Sequence, residues 1–101
     1  MITLQILIGL FIKKVESIHD YVQIQFSDGT ILNVYNHHQY NAGPPKAIKG
    51  KKVVSVEEGE SKITISFEGG GAFSIGMSDD DYRGPEAMVL CVDGKPPVVW
   101  N

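Results

Sequence analysis

Residues 21–29 read YVQIQFSDG, and residues 62–70, which lie 41 positions further along the chain, read KITISFEGG. In both stretches apolar residues alternate with polar ones up to a phenylalanine, and a glycine follows three positions later. A period of two is typical of a β-strand with one buried face and one wet face. The polar segment with its glycine predicts a tight turn after each strand. The two stretches therefore predict two copies of the same strand and turn.

The match extends well beyond these two strands. Residues 9–35 and 50–76 share six identical positions at the same offset, and Gly43-Pro44 falls on Gly84-Pro85 without a gap. Solenoids and propellers need three or more copies to close a core. Two copies instead predict one all-β domain with minor short helical turns, an antiparallel β-sandwich or partly closed barrel of about eight strands. Its parts are two pseudo-two-fold units, about 7–47 and 48–88, and a C-terminal hairpin, 89–101.

Three strands are expected in each unit: 11–16, 21–26 and 31–35 in the first, and 52–57, 62–67 and 72–77 in the second. Polar loops are expected at 36–43 and 78–84, and short helical turns at 44–48 and 85–88, where proline suits a first turn. The apolar segment 2–12 is too short to span a bilayer. It has no preceding positive charge and no small-residue cleavage site, so it does not resemble a signal peptide. We expect a first strand there, in a cytoplasmic protein.

The net charge of −3 is spread unevenly along the chain. Residues 48–56 carry three lysines and no acidic residue, whereas residues 57–101 carry nine acidic residues against three basic ones. An acidic half repels phosphate groups and attracts basic proteins. We therefore expect a basic protein partner, and neither a nucleic-acid nor a membrane partner.

Residue patterns that carry chemistry are missing from the sequence. Asp79-Asp80-Asp81 lacks the alternating spacing of a calcium loop, and adjacent histidines at 37 and 38 point apart on an extended chain. No nucleophile elbow, phosphate-binding loop, zinc-protease motif or C-x-x-C pair occurs. We expect no enzymatic activity, no cofactor and no metal. The single cysteine, Cys91, is expected to be a buried core thiol in a reducing compartment.

Four short segments carry a resemblance to a known family: residues 48–53 (IKGKKV), 63–67 (ITISF), 84–88 (GPEAM) and 98–100 (VVW). Together they resemble small immunity proteins of bacterial polymorphic toxin systems, especially those of contact-dependent growth inhibition. The resemblance implies a cytoplasmic protein without enzymatic activity. It also implies a 1:1 heterodimer with a cognate toxin domain, often a nuclease such as an RNase. The immunity protein would neutralise the toxin by covering its active site or its substrate surface.

Acidic residues and one tyrosine are the candidate toxin-binding residues. A nuclease attracts phosphate through a basic face, and an acidic inhibitor would be steered towards that face. On this hypothesis four carboxylates pair with lysine or arginine of the toxin: Asp79, Asp80, Asp81 and Glu86. Tyr82 would supply buried contact area. The acidic patch would be extended by Glu57, Glu58 and Glu60.

Two other function classes stay open at this point. A small-molecule-binding or regulatory β module would hold its ligand in a concave apolar pocket at the pseudo-two-fold axis. A subunit-assembly domain would carry a self-complementary apolar patch, for example along residues 2–10.

Overall fold

Nine strands form two antiparallel sheets in the computed structural model, which describes residues 3–101. The strands are β1 (Ile12–Ile18), β2 (Tyr21–Phe26), β3 (Ile31–Val34), β4 (His38–Tyr40), β5 (Val53–Glu58), β6 (Lys62–Phe67), β7 (Ala72–Gly76), β8 (Met88–Cys91) and β9 (Val98–Trp100). The first sheet has the order β1-β2-β3-β8-β9, and the second has the order β4-β7-β6-β5. The prediction of an all-β fold with short helical turns is thereby confirmed, with one strand more than expected.

The alternating strands bury the residues that their period predicts. In β2 the side chains of Val22, Ile24 and Phe26 are at most 1% exposed, and in β6 those of Ile63 and Ile65 are 2% exposed. Both sheets contribute to one continuous hydrophobic cluster. Its burial is the main driving force for folding in a chain of this size.

The duplication in sequence is also a duplication in structure. A β-bulge interrupts β1 between Ile12 and Lys14, and another interrupts β5 between Val53 and Ser55, 41 positions later. The hydrogen bonds between the units are reciprocal, since Ile12 N donates to Lys51 O and Val53 N donates to Leu10 O, both at 2.9 Å. An antiparallel bridge joins Phe11 to its own counterpart Lys52. The pseudo-two-fold axis therefore passes through this bridge.

The two units exchange a strand. After β3 of the first sheet the chain crosses to the second sheet, where β4 pairs with β7. After β7 of the second sheet the chain crosses back, and β8 pairs with β3. The second sheet is therefore completed by β4 from the first unit, and the first sheet is completed by β8 and β9, which follow the second unit.

Five expectations about local structure were wrong. Residues 4–7 form a 3₁₀ turn, Leu4–Leu7, because Leu4 and Leu7 are both buried at the three-residue spacing of that turn; Met1 and Ile2 lie outside the described residues. The 78–84 loop contains a second such turn, Asp79–Asp81, whereas residues 85–88 are not helical and Met88 starts β8. The 36–43 loop contains β4. Cys91 is only half-buried, because Met88 and Leu90 take the inward positions of β8.

The expected helical turn at 44–48 is confirmed as a 3₁₀ turn, Pro45–Ile48. It lies 41 positions after the Leu4–Leu7 turn, so the duplication includes the turn that precedes β1 and β5. No helix within residues 3–101 has the length and apolarity needed to cross a bilayer.

Candidate functional site

Two acidic segments meet at one end of the second sheet. The β5–β6 hairpin carries Glu57, Glu58 and Glu60, and the 3₁₀ turn after β7 carries the three aspartates 79–81. Met77 N donates a 2.8 Å hydrogen bond to Ser61 O, which ties the start of the second segment to the tip of the first. We call the six carboxyl residues Glu57, Glu58, Glu60, Asp79, Asp80 and Asp81 the acidic end.

Charge at the acidic end is poorly compensated. Five of its six residues are exposed, and Lys62 is the basic residue of the same hairpin. Within residues 3–101 the one ion pair within 4 Å joins Lys14 and Glu16, which lie in β1 of the first sheet. Carboxylates with no partner in their own chain remain available to a cationic surface.

Asp81 differs from its neighbours because it holds the turn together. Its carboxyl oxygen Oδ2 accepts a 3.1 Å hydrogen bond from Ser78 N, and its own N–H donates to Ser78 O at 2.8 Å. Its carboxyl group lies over Gly76, where any Cβ would overlap it. The structure therefore places Asp81 in a structural contact, whereas Asp79 and Asp80 are exposed.

Tyr82 and Glu86 lie on the segment that crosses from the second sheet to the first. The hydroxyl of Tyr82 donates a 2.9 Å hydrogen bond to Asn101 O, so part of this side chain contacts the end of the chain. Glu86 lies beside Tyr35 at the edge of a separate cavity of the first sheet. The eight residues predicted from sequence are thus divided between the acidic end, with six, and the crossing segment, with two.

Basic residues gather at the opposite end of the strands. Lys52 forms the bridge with Phe11, Lys51 precedes it directly, and Lys13 and Lys49 lie two or three positions from the bridge in the chain. From this bridge β5 runs over six residues to the acidic hairpin, a distance of roughly 20 Å at about 3.3 Å per residue. The molecule is therefore electrically polarised along its strands.

The pseudo-two-fold axis is occupied by backbone. At this position Gly9 N donates to Val53 O and Gly50 N donates to Ile12 O, both at 2.8 Å. Three surface cavities lie elsewhere: one at the end of β2 and β3, one on the outer face of the second sheet, and one beside Cys91. The small-molecule alternative gains no support at the axis, where it predicted its pocket.

Exposed apolar residues lie close to the axis instead. Ile6, Ile8, Phe11 and Val54 are 38%, 43%, 49% and 43% exposed. Gly9 is hydrogen-bonded to Val53. Ile8 precedes Gly9 and Val54 follows Val53, so each is one residue from this hydrogen bond. We call these four exposed residues, which belong to the two segments joined at the axis, the axial apolar patch.

Within residues 3–101 no group of three or more His, Cys, Asp or Glu side chains is placed to hold a metal ion. Searches against protein-family models, curated proteins and solved structures return no match for this chain.

Proposed function

We propose that this chain is an immunity protein of a bacterial contact-dependent growth inhibition system. It would bind a cognate toxin domain in the cytoplasm as a 1:1 complex and neutralise it by covering its active site or its substrate surface. The observation that carries the proposal is the acidic end, where six carboxylates from two separate segments converge without an ion-pair partner in the described part of the chain. The family resemblance of residues 48–53, 63–67, 84–88 and 98–100 supports it.

The charge distribution favours a basic enzyme surface as the partner. Nucleases need a positive face to hold the phosphates of their substrate, and this face complements the acidic end. The lysines near the axis would orient the molecule during the encounter, because they repel the same face. Electrostatic complementarity of this kind raises association rates by one to three orders of magnitude.

Removing two exposed carboxylates should slow association with the toxin. In the Asp79→Asn/Asp80→Asn variant we expect the association rate constant at low salt to fall by roughly tenfold. The difference from wild type should shrink as the ionic strength rises, because exposed charges are screened. Asp81 is kept, since its loss would disturb the turn. Stopped-flow or surface-binding kinetics against the product of the neighbouring upstream reading frame measures both quantities.

A matched control removes the same charge from the other end of the strands. Glu68 follows β6 with its N–H bonded to Lys52 O, and Asp93 lies in the β8–β9 turn; both are exposed. The Glu68→Gln/Asp93→Asn variant should associate within about twofold of wild type if the acidic end is the contact. Equal slowing in both variants would show a net-charge effect and remove the acidic end as the interface.

The functional readout is suppression of the toxin. The partner should co-purify with this chain, and once separated it should cleave RNA in a reaction that added wild-type protein stops at equimolar concentration. A partner with no toxic activity, or no partner at all, would refute the immunity proposal.

A second candidate function, assembly with another copy, is favoured by the axial apolar patch. Exposed apolar residues that lie together mark association surfaces. On this candidate the protein sediments as a dimer at micromolar concentration, and Ile8→Lys/Val54→Lys gives the monomer. A wild-type protein that is monomeric over the whole concentration range excludes this candidate.

A further inference from the structure

A cavity of about 300 Å³ opens at the end of β2 and β3. It lies on the outer face of the first sheet, and the side chains that shape it are His19, Asp20, Tyr21, Tyr35, Arg83 and Glu86. We call it the tyrosine cavity. Its volume is at the lower limit of small-molecule sites, which suits one side chain or one small ion rather than a large metabolite.

The walls of the tyrosine cavity follow from strand register. Val22 pairs with Val34, so Tyr21 and Tyr35 face each other one step further on, with ring centroids 4.9 Å apart and planes inclined by 49°. Ala87 O accepts hydrogen bonds from Tyr35 N and Asn36 N, at 2.9 and 3.1 Å, which brings the neighbouring Glu86 alongside the rings. Asp20 enters from the β1–β2 turn.

The cavity is lined by two carboxylates, Asp20 and Glu86, and by one guanidinium, Arg83, so its acidic groups outnumber its basic one. Burial raises the pKa of the Tyr35 hydroxyl above its ordinary value, and Tyr21 and Glu86 raise it further. The ring of Tyr35 is therefore neutral at physiological pH. Neither Asp20 nor Glu86 has an ion-pair partner within residues 3–101, and Arg83, which is exposed and lines the same cavity, has none either.

The second unit shows that the fold does not need this pair of rings. At the equivalent positions, 41 residues later, Lys62 pairs with Gly76 in the same kind of ladder. The strand pair forms there without any aromatic contact. The two tyrosines are thus an addition to one unit only, and strand pairing does not explain them.

Backbone strain lies at the same place. His19, in the β1–β2 turn, has a φ of 53°, the one non-glycine residue of 3–101 with a positive φ. Non-glycine residues in this region are uncommon, and such strain concentrates at functional sites. In the second unit the equivalent turn residue, Glu60, has no positive φ.

We propose that the tyrosine cavity binds the guanidinium group of an arginine side chain of the toxin, an assignment that rests on the function proposed above. A planar guanidinium stacks on a tyrosine ring and donates paired hydrogen bonds to carboxylates. The cavity offers both, since it is lined by the adjacent rings of Tyr21 and Tyr35 and by two carboxylates, those of Asp20 and Glu86. The crossing segment, residues 82–86, links this cavity to the acidic end, so one partner can contact both.

The isolated protein tests the site without any toxin. In a titration with N-acetyl-arginine methylamide followed by NMR, we expect saturable shifts confined to Tyr21, Tyr35 and Glu86, with a dissociation constant in roughly the millimolar range. Glu86→Gln, and Tyr21→Lys, which places the residue of the second unit in the first, should each weaken binding by roughly five- to tenfold. Glu68→Gln should leave it unchanged. Shifts that stay linear or spread over the whole surface overturn the site.

The complex then tests the occupant. Glu86→Gln and Tyr21→Lys should each raise the dissociation constant for the toxin by at least roughly tenfold, while Glu68→Gln should not. If the arginine derivative binds the isolated protein but neither variant weakens the complex, the occupant is a free cation and the proposal is overturned. That result would leave the proposed function standing, because the toxin would still bind the protein and be suppressed by it.

Discussion

Phe67→Ala should lower the free energy of unfolding by about 3–5 kcal/mol, because it removes a buried ring and leaves a cavity. Phe67 is 3% exposed at the end of β6. Tyr40 of β4 contacts its ring edge-on, with centroids 6.0 Å apart. A domain of this size has a total stability of about 5–15 kcal/mol. The variant is therefore expected to be barely folded or unfolded at 37 °C.

Phe11→Ala is the matched control for this loss. Phe11 is 49% exposed on the axial apolar patch, with Lys52 Nζ 5.9 Å from its ring centroid. We expect its removal to lower stability by less than about 1 kcal/mol. Urea denaturation followed by the fluorescence of the single tryptophan, Trp100, measures both variants. A Phe67→Ala variant no less stable than Phe11→Ala would contradict the placement of Phe67 in the core.

Local patterns predicted the strands whose signal is contained in a few adjacent residues. β2 and β6 were predicted with their observed bounds, because three apolar residues in each alternate with polar ones and turn residues follow. β4 was missed because only Tyr40 of its three residues is buried. Its strand conformation depends on pairing with β7, which lies more than 30 positions away. A short strand that is held by pairing with a distant segment, as β4 is, shows no alternation of apolar and polar residues in its own sequence.

The candidate site was predicted only in part, because contacts between distant segments are not visible in the local sequence. Clusters of adjacent acidic residues are visible in the sequence, but the hydrogen bond between Met77 and Ser61 that brings two clusters together is not. The role of Asp81 could have been predicted from the sequence. A serine followed three positions later by an acidic residue, here Ser78 and Asp81, is typical of a helix N-terminus. The tyrosine cavity depends on the facing of Tyr21 and Tyr35, which follows only once the register of β2 and β3 is known.

Neither unit should fold without the other, because the exchange of β4 and β8 leaves each sheet incomplete in an isolated unit. Cleavage in the exposed segment 41–44 separates β1–β4 from β5–β9. The first fragment then keeps β4 but loses its partner β7, and the second keeps β8 but loses its partner β3. The reciprocal hydrogen bonds at the axis are lost from both. We expect each fragment to give the NMR spectrum of an unfolded chain, and the equimolar mixture to recover the dispersed spectrum of the intact protein.

The cleavage requires a protease site inserted in segment 41–44. The control is the protein that carries this site but has not been cut, and it should unfold cooperatively. A fragment that unfolds cooperatively by itself would show that one unit closes its own core. The exchanged strands are not counterparts in the sequence repeat, because the residues 41 positions after β4 form the Asp79–Asp81 turn and β8 begins only at Met88. Without its exchanged strand either unit leaves the β3 or β7 edge unpaired. The two halves are therefore joined by strand pairing as well as by the reciprocal hydrogen bonds at the Phe11–Lys52 bridge.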